Sequence, residues 1–119
     1  MADTENQKLD GEMIAMSIIA SAGDARSYAF GALAAAKEGN FEEADRMLAQ
    51  AKEAGAGAHK AQTELLFAEA NGNAPEMGVL QVHAQDHFMT AMLAEELIKE
   101  IIDVYRQLED LRMSKGERQ

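Results

Sequence analysis

The sequence predicts an all-α fold, a three-helix bundle whose helices run up, down and up in antiparallel hairpins. Three observations lead there. The chain of 119 residues has 8 Met but only 1 Pro, no Trp and no Cys, and its apolar set is rich in Ala, Leu and Ile, which lose little freedom in a helix. Strong turn formers cluster at two places, Gly39-Asn40 and Asn71-Gly72-Asn73-Ala74-Pro75. The stretches between them repeat apolar residues every three or four positions, the period of one helix face.

The first helix is expected from about Gly11 to Glu38, with Asp10 as its N-cap. Met13, Ile14, Ile18 and Leu33 give it a core stripe, and the methionines are expected to fill gaps in cores. The second helix starts after Asn40, whose side chain can accept from the backbone N–H of Glu43, a capping-box-like pair. Its seam reads Phe41, Ala44, Leu48, Ala51, Gly55, Ala58, Gln62 and Leu65. Gly55 and Gly57 each cost about 1 kcal/mol relative to Ala inside a helix. They mark a bend or close helix packing, or else a true break. The third helix is expected to open near Pro75, whose fixed φ suits a first turn. Its seam reads Val79, Val82, Asp86, Met89 and Leu93, followed by Leu97, Ile101 and Leu108. Segments this long joined by such short turns must fold back antiparallel. One domain is expected over residues 10–113, between a flexible N-terminus (1–9) and a flexible polar tail (114–119).

Composition excludes several classes of function. Without Cys there is no disulfide, no thiolate-bound zinc and no thiol nucleophile. A formal net charge of −10 repels phosphate backbones and anionic lipid, while it would steer a basic protein towards the chain. Apolar runs such as Ala29–Ala36 are too short to span a bilayer, and Met1–Asp10 lacks a basic-then-apolar signal segment. The expectation is a soluble cytoplasmic protein. Glu42-Glu43 and Glu95-Glu96 read most simply as solvated faces.

Chemistry concentrates in Val82-His83-Ala84-Gln85-Asp86-His87. His83 and His87 lie four apart and so project from one helix face, which Thr90 and Ala94 continue with small side chains. A zinc-protease helix would need Glu directly after His83, where Ala84 stands. A di-iron bundle would need Glu three residues before each His, where Leu80 and Ala84 stand. A neutral imidazole at His83 can attack phosphorus, and a His pKa of about 6.5 keeps much of it neutral near pH 7. Gln85 and His87 are candidate donors to phosphoryl oxygens. Asp86 takes a seam position where Leu is expected. It is either simply exposed or, if three copies pack through this seam, one of three carboxylates that need a divalent cation or shared protons.

These residues resemble a known family. Val82–His87 with Met89-Thr90, together with Gly23-Asp24-Ala25-Arg26-Ser27, Ala36–Phe41 and Ala58-His59-Lys60-Ala61-Gln62-Thr63, are similar to the lactose/cellobiose-type enzyme IIA of the bacterial sugar phosphotransferase system, which includes the N,N′-diacetylchitobiose carriers. The resemblance implies a nine-helix homotrimer. It implies a phosphotransferase in which His83 accepts a phosphoryl group from HPr at its tele nitrogen, as a phosphohistidine, and passes it to a Cys of the IIB component. Gln85 and His87 would line that site. It further implies Asp86 at the trimer centre, binding a divalent cation, usually magnesium, with no organic cofactor. His59 is read as structural. Two departures stand out: Gln81, where the family tends to an aliphatic residue, and the Gly55/Gly57 pair. The competing expectation is a non-catalytic trimeric module whose motif binds metal or a regulator.

Overall fold

The computed structural model describes residues 2–117. Met1, Arg118 and Gln119, within the two terminal segments expected to be flexible, lie outside the described residues. Three helices account for the fold: α1 (Ala2–Lys37), α2 (Phe41–Ala70) and α3 (Val79–Glu117). They form a rod of 77 × 20 × 20 Å.

Both turns close by the same hydrogen-bond logic. At the end of α1, Asn40 N–H donates to Ala35 O at 2.9 Å and Gly39 N–H to Ala36 O at 3.0 Å. Gly39 has φ 81°, the left-handed value that glycine adopts without a Cβ penalty, so this is a Schellman stop. After α2, Asn73 N–H donates to Ala68 O at 2.8 Å and Gly72, with φ 75°, donates to Glu69 O at 3.1 Å. Asn40 also caps α2: its Oδ1 accepts from Glu43 N–H at 3.2 Å, the pairing read from sequence.

The other two expected helix starts are corrected. Asp10 lies inside α1, which already runs from Ala2. α3 opens at Val79 rather than near Pro75, because Gln81 reaches back to the start of its own helix. The Gln81 side chain accepts from Gly78 N–H at 3.0 Å, and Val82 N–H donates to Gly78 O at 3.2 Å. Gly78 therefore stands at the N-cap and Gln81 at the third helical position, one half of a capping box. Pro75 instead packs on α1, where a Cβ on Gly11 would stand only 2.7 Å from its ring.

α1 lies against both other helices, while α2 and α3 barely meet. One apolar cluster joins Ala15, Ile18 and Ala22 of α1 to Ala58 of α2 and to Ala84, Phe88 and Ala91 of α3. A second joins Ala29, Ala32 and Ala36 to Ala44, Ala51, Ile98 and Ile102. That pairing of early with late residues confirms the up-down-up order. The α2 seam is as expected, with Ala44, Ala51 and Ala58 buried along it.

The α3 seam is not the packed face. Val79, Val82, Met89, Leu93, Leu97, Ile101 and Leu108 are all exposed in the single chain, and the smaller face centred on Ala84, Ala91 and Ile102 packs inward. Alanines let helix axes approach closely, so the bulky stripe is the one left outside. Met13, Met16, Met77, Met89, Met92 and Met113 are exposed too, so among the described methionines the expected gap-filling falls to Met47, which packs against the second cluster.

α2 is continuous through Gly55 and Gly57, which settles the break against the close-packing alternative. Ser21 of α1 explains Gly57. Its hydroxyl donates to Ala54 O and accepts from Ala58 N–H at 3.0 Å, so it touches both ends of one rung of the α2 ladder. A Cβ on Gly57 would come within 3.3 Å of that oxygen.

Candidate phosphoryl-carrier site

His83 is the fifth residue of α3 and is exposed, and His87 is half-buried one turn later. Their rings meet edge to face, with centroids 4.4 Å apart at 72°, as the four-residue spacing requires. Side chains on a helix lean towards its N-terminus. The His83 imidazole therefore overhangs the first turn of α3, where unpaired N–H groups and the helix dipole favour negative charge. Between Val79 and Ile98 α3 carries no Lys or Arg, so nothing cationic on the helix competes for the imidazole.

The remaining members of the motif divide around the helix. Gln85 is half-buried and lies about 200° around the axis from His83 at about 100° per residue; the two share no face within one chain. Asp86 is exposed and lies in the outer apolar stripe, between Val82 and Met89. Thr90 turns its hydroxyl back to the helix backbone, donating to Asp86 O at 2.7 Å. Among the described residues of one chain, no three His, Asp or Glu side chains are grouped to hold a metal. His59 stands on α2 with its ring 6.0 Å from that of Phe88, away from the His83 pair.

Residues 13–106 match the family described as PTS system, lactose/cellobiose-specific IIA subunit. The chain belongs to that family. Among its relatives, the lichenan-specific phosphotransferase enzyme IIA component of Bacillus subtilis is 46% identical over 101 residues, 85% of this chain and 92% of the relative. The crystal structure of the cellobiose-specific enzyme IIA from Bacillus anthracis superposes with TM-score 0.81 at 47% identity, covering 84% of this chain and 92% of that one. A IIA subunit solved in the IIA(chitobiose)–HPr complex of the Escherichia coli phosphotransferase system superposes with TM-score 0.71 at 40% identity, covering 83% and 96%. As a IIA subunit, the chain is a phosphoryl carrier of a sugar phosphotransferase system, an element that works through a phosphohistidine. No described helix of this subunit is long and apolar enough to cross a membrane.

The Gly78–Gln81 cap is the feature that sequence reasoning missed. Its signal was present, since Gln three residues after a potential N-cap is half of a capping box. Glycine lacks the side-chain half, and Pro75 offered a louder start. The sequence departure at Gln81 thus has a local purpose: it fixes where α3 begins, and with it the height of His83.

Proposed function

We propose that His83 is the phosphoryl acceptor, taking the group from HPr and delivering it to a Cys of a IIB component in the cytoplasm. The exposed His83 imidazole, braced edge-on by His87 within the segment the family match covers, carries this reading. An imidazole nitrogen attacks the donor phosphohistidine phosphorus, the P–N bond to HPr breaks, and the group rests on His83 until the IIB sulfur attacks in turn. Transfer of this kind needs alignment and charge stabilisation rather than covalent machinery. The overhung first turn of α3 and His87 supply the stabilisation on this side. The formal charge of −10 favours a basic face on the donor, which would draw it in.

Three subunits packed through the exposed α3 stripe form the assembly we propose. Around such an axis, His83 lies on one flank of the stripe and Gln85 on the other. The imidazole of one subunit would then face Gln85 of the partner subunit, which gives the motif's Gln a role its own chain denies it. Three Asp86 carboxylates would converge on the axis, a set of hard oxygen donors that suits Mg²⁺. A cation held there would neutralise charges that otherwise repel.

Incubation with enzyme I, HPr and phosphoenolpyruvate should label the parent on an acid-labile phosphohistidine and leave His83→Ala unlabelled. Equal labelling of that variant would sink the assignment. No labelling of the parent, with HPr binding retained, would favour a non-catalytic module.

The sugar belongs to a different component. The relatives named above serve lichenan, cellobiose and chitobiose branches on one IIA scaffold.

A further inference from the structure

Three features that phosphoryl transfer does not use come together at one place between α2 and α3. They are the glycine at position 55, the His59 segment and a carboxylate, Glu95, that reads from sequence as solvated. They border a half-open cleft of about 280 Å³ whose lining is mostly apolar. Ala22, Ala58 and Ala91 form its floor, and Phe88 and Met92 form a wall.

Glu95 supplies the polar element. Its Oε1 is buried and has no hydrogen-bond partner, and burial pushes the carboxyl above its ordinary range while Lys99, one turn on, opposes this. Oε1 is closed off against Gly55, so a donor entering the cleft would meet the Glu95 carboxylate at its other oxygen. Gly55 borders the cleft. A Cβ there would stand 3.6 Å from that same Oε1 and 3.4 Å from Ala25 Cβ, and any longer side chain would grow into the cleft. Lys52 also lines the cleft but is exposed and forms no ion pair with Glu95 among the described residues.

We propose that this cleft is a binding site for a small aliphatic primary amine, its ammonium group on Glu95 and its hydrocarbon body against Ala58, Phe88, Ala91 and Met92. A molecule with a single cationic donor and an apolar body matches both walls. The chain's acidity adds attraction for a cation. At about 280 Å³ the space is near the lower end for ligand sites, about 300 Å³, so a small occupant is indicated.

The test is a titration of the ¹⁵N-labelled full chain with isopentylamine and, in parallel, its neutral isostere isopentanol. Saturable amide shifts confined to the surroundings of Gly55, Ala58 and Ala91 are expected, with the amine at least tenfold tighter. Glu95→Gln should erase the preference for amine over alcohol, and Gly55→Leu should abolish both. If Gly55→Leu loses its helical spectrum, the Glu95→Gln comparison decides alone. Equal affinities in the parent, a preference that survives Glu95→Gln, or no saturable shift would each overturn the proposal. So would amine binding that appears only in Lys52→Met, since Lys52 would then occupy the site itself.

Discussion

Glu95 and Glu96 are adjacent in sequence but meet different fates, since α3 turns about 100° between them. Glu96 is exposed, whereas Glu95 is half-buried against the α2–α3 cleft and its carboxyl is raised mainly by burial. A raised carboxyl means that the folded chain holds its proton more tightly than the unfolded one. The stabilisation is therefore present at low pH and is lost as pH rises through the raised value. At neutral pH the ionised carboxylate is a net cost. Glu95→Gln should raise the melting temperature at pH 7, with the gain shrinking as pH falls through the raised value and absent below the ordinary carboxyl value of 4.5. Thermal melts of both proteins at pH 4 and pH 7 check this, and an equal gain at both would remove burial as the cause. Contrast Glu43, also in an acidic pair, which lies at the surface with its carboxyl lowered by its hydrogen bonds to Arg46. Composition could not separate the two, because the difference lies in which side of a helix is covered.

At the level of the helix, the Ser21–Gly57 contact makes a quantitative claim. Gly→Ala in a helix interior gains about 1 kcal/mol by propensity. At Gly57 that gain opposes crowding of the Ser21 oxygen at 3.3 Å. Gly57→Ala alone should be close to neutral. In a Ser21→Ala background, where the rung from Ala58 to Ala54 can close on itself, the same change should stabilise by about 1 kcal/mol. A double-mutant cycle by urea unfolding measures the coupling, and strict additivity would show that the contact is idle. Helix ends were legible where a turn demands a residue of special conformation, as at Gly39 and Gly72, or a side-chain cap, as at Asn40. The start of α3 was not, because its N-cap is a glycine and its signal lies in Gln81. Likewise His83 and His87 could be placed on one face from their spacing alone, while Gln85, about 200° around the helix from His83, could not be joined to them.

Assembly is the scale at which the outer stripe of α3 acquires a purpose. From sequence, that bulky stripe is expected to be the helix's seam. The structure instead buries the face of Ala84, Phe88, Ala91, Ile98 and Ile102, which packs with the alanines of α1. In the proposed trimer the bulky stripe is the subunit contact, and Asp86 is its one carboxylate between Val79 and Met89. Asp86→Leu should preserve or strengthen the trimer while abolishing any axial metal. Leu93→Asp, which buries a new unpaired charge in the same stripe, should dissociate it. Sedimentation equilibrium distinguishes these, and monomers from Asp86→Leu would contradict the seam.

Among the described residues, eleven of the fifteen buried apolar ones are alanines, leaving Ile18, Phe88, Ile98 and Ile102 as the larger ones. Burying an alanine removes little hydrocarbon from water, and burial strength follows area. Such a rod holds itself together weakly while displaying its large hydrophobes, so a lone subunit is close to an unfinished protein. Folding should then depend on how many copies are present: the melting temperature should climb with chain concentration, by mass action, and calorimetry over a hundredfold range would record it. Dilution would act on this carrier as a denaturant does on others. A cell making too few copies would lose the protein rather than hold a small stock of it.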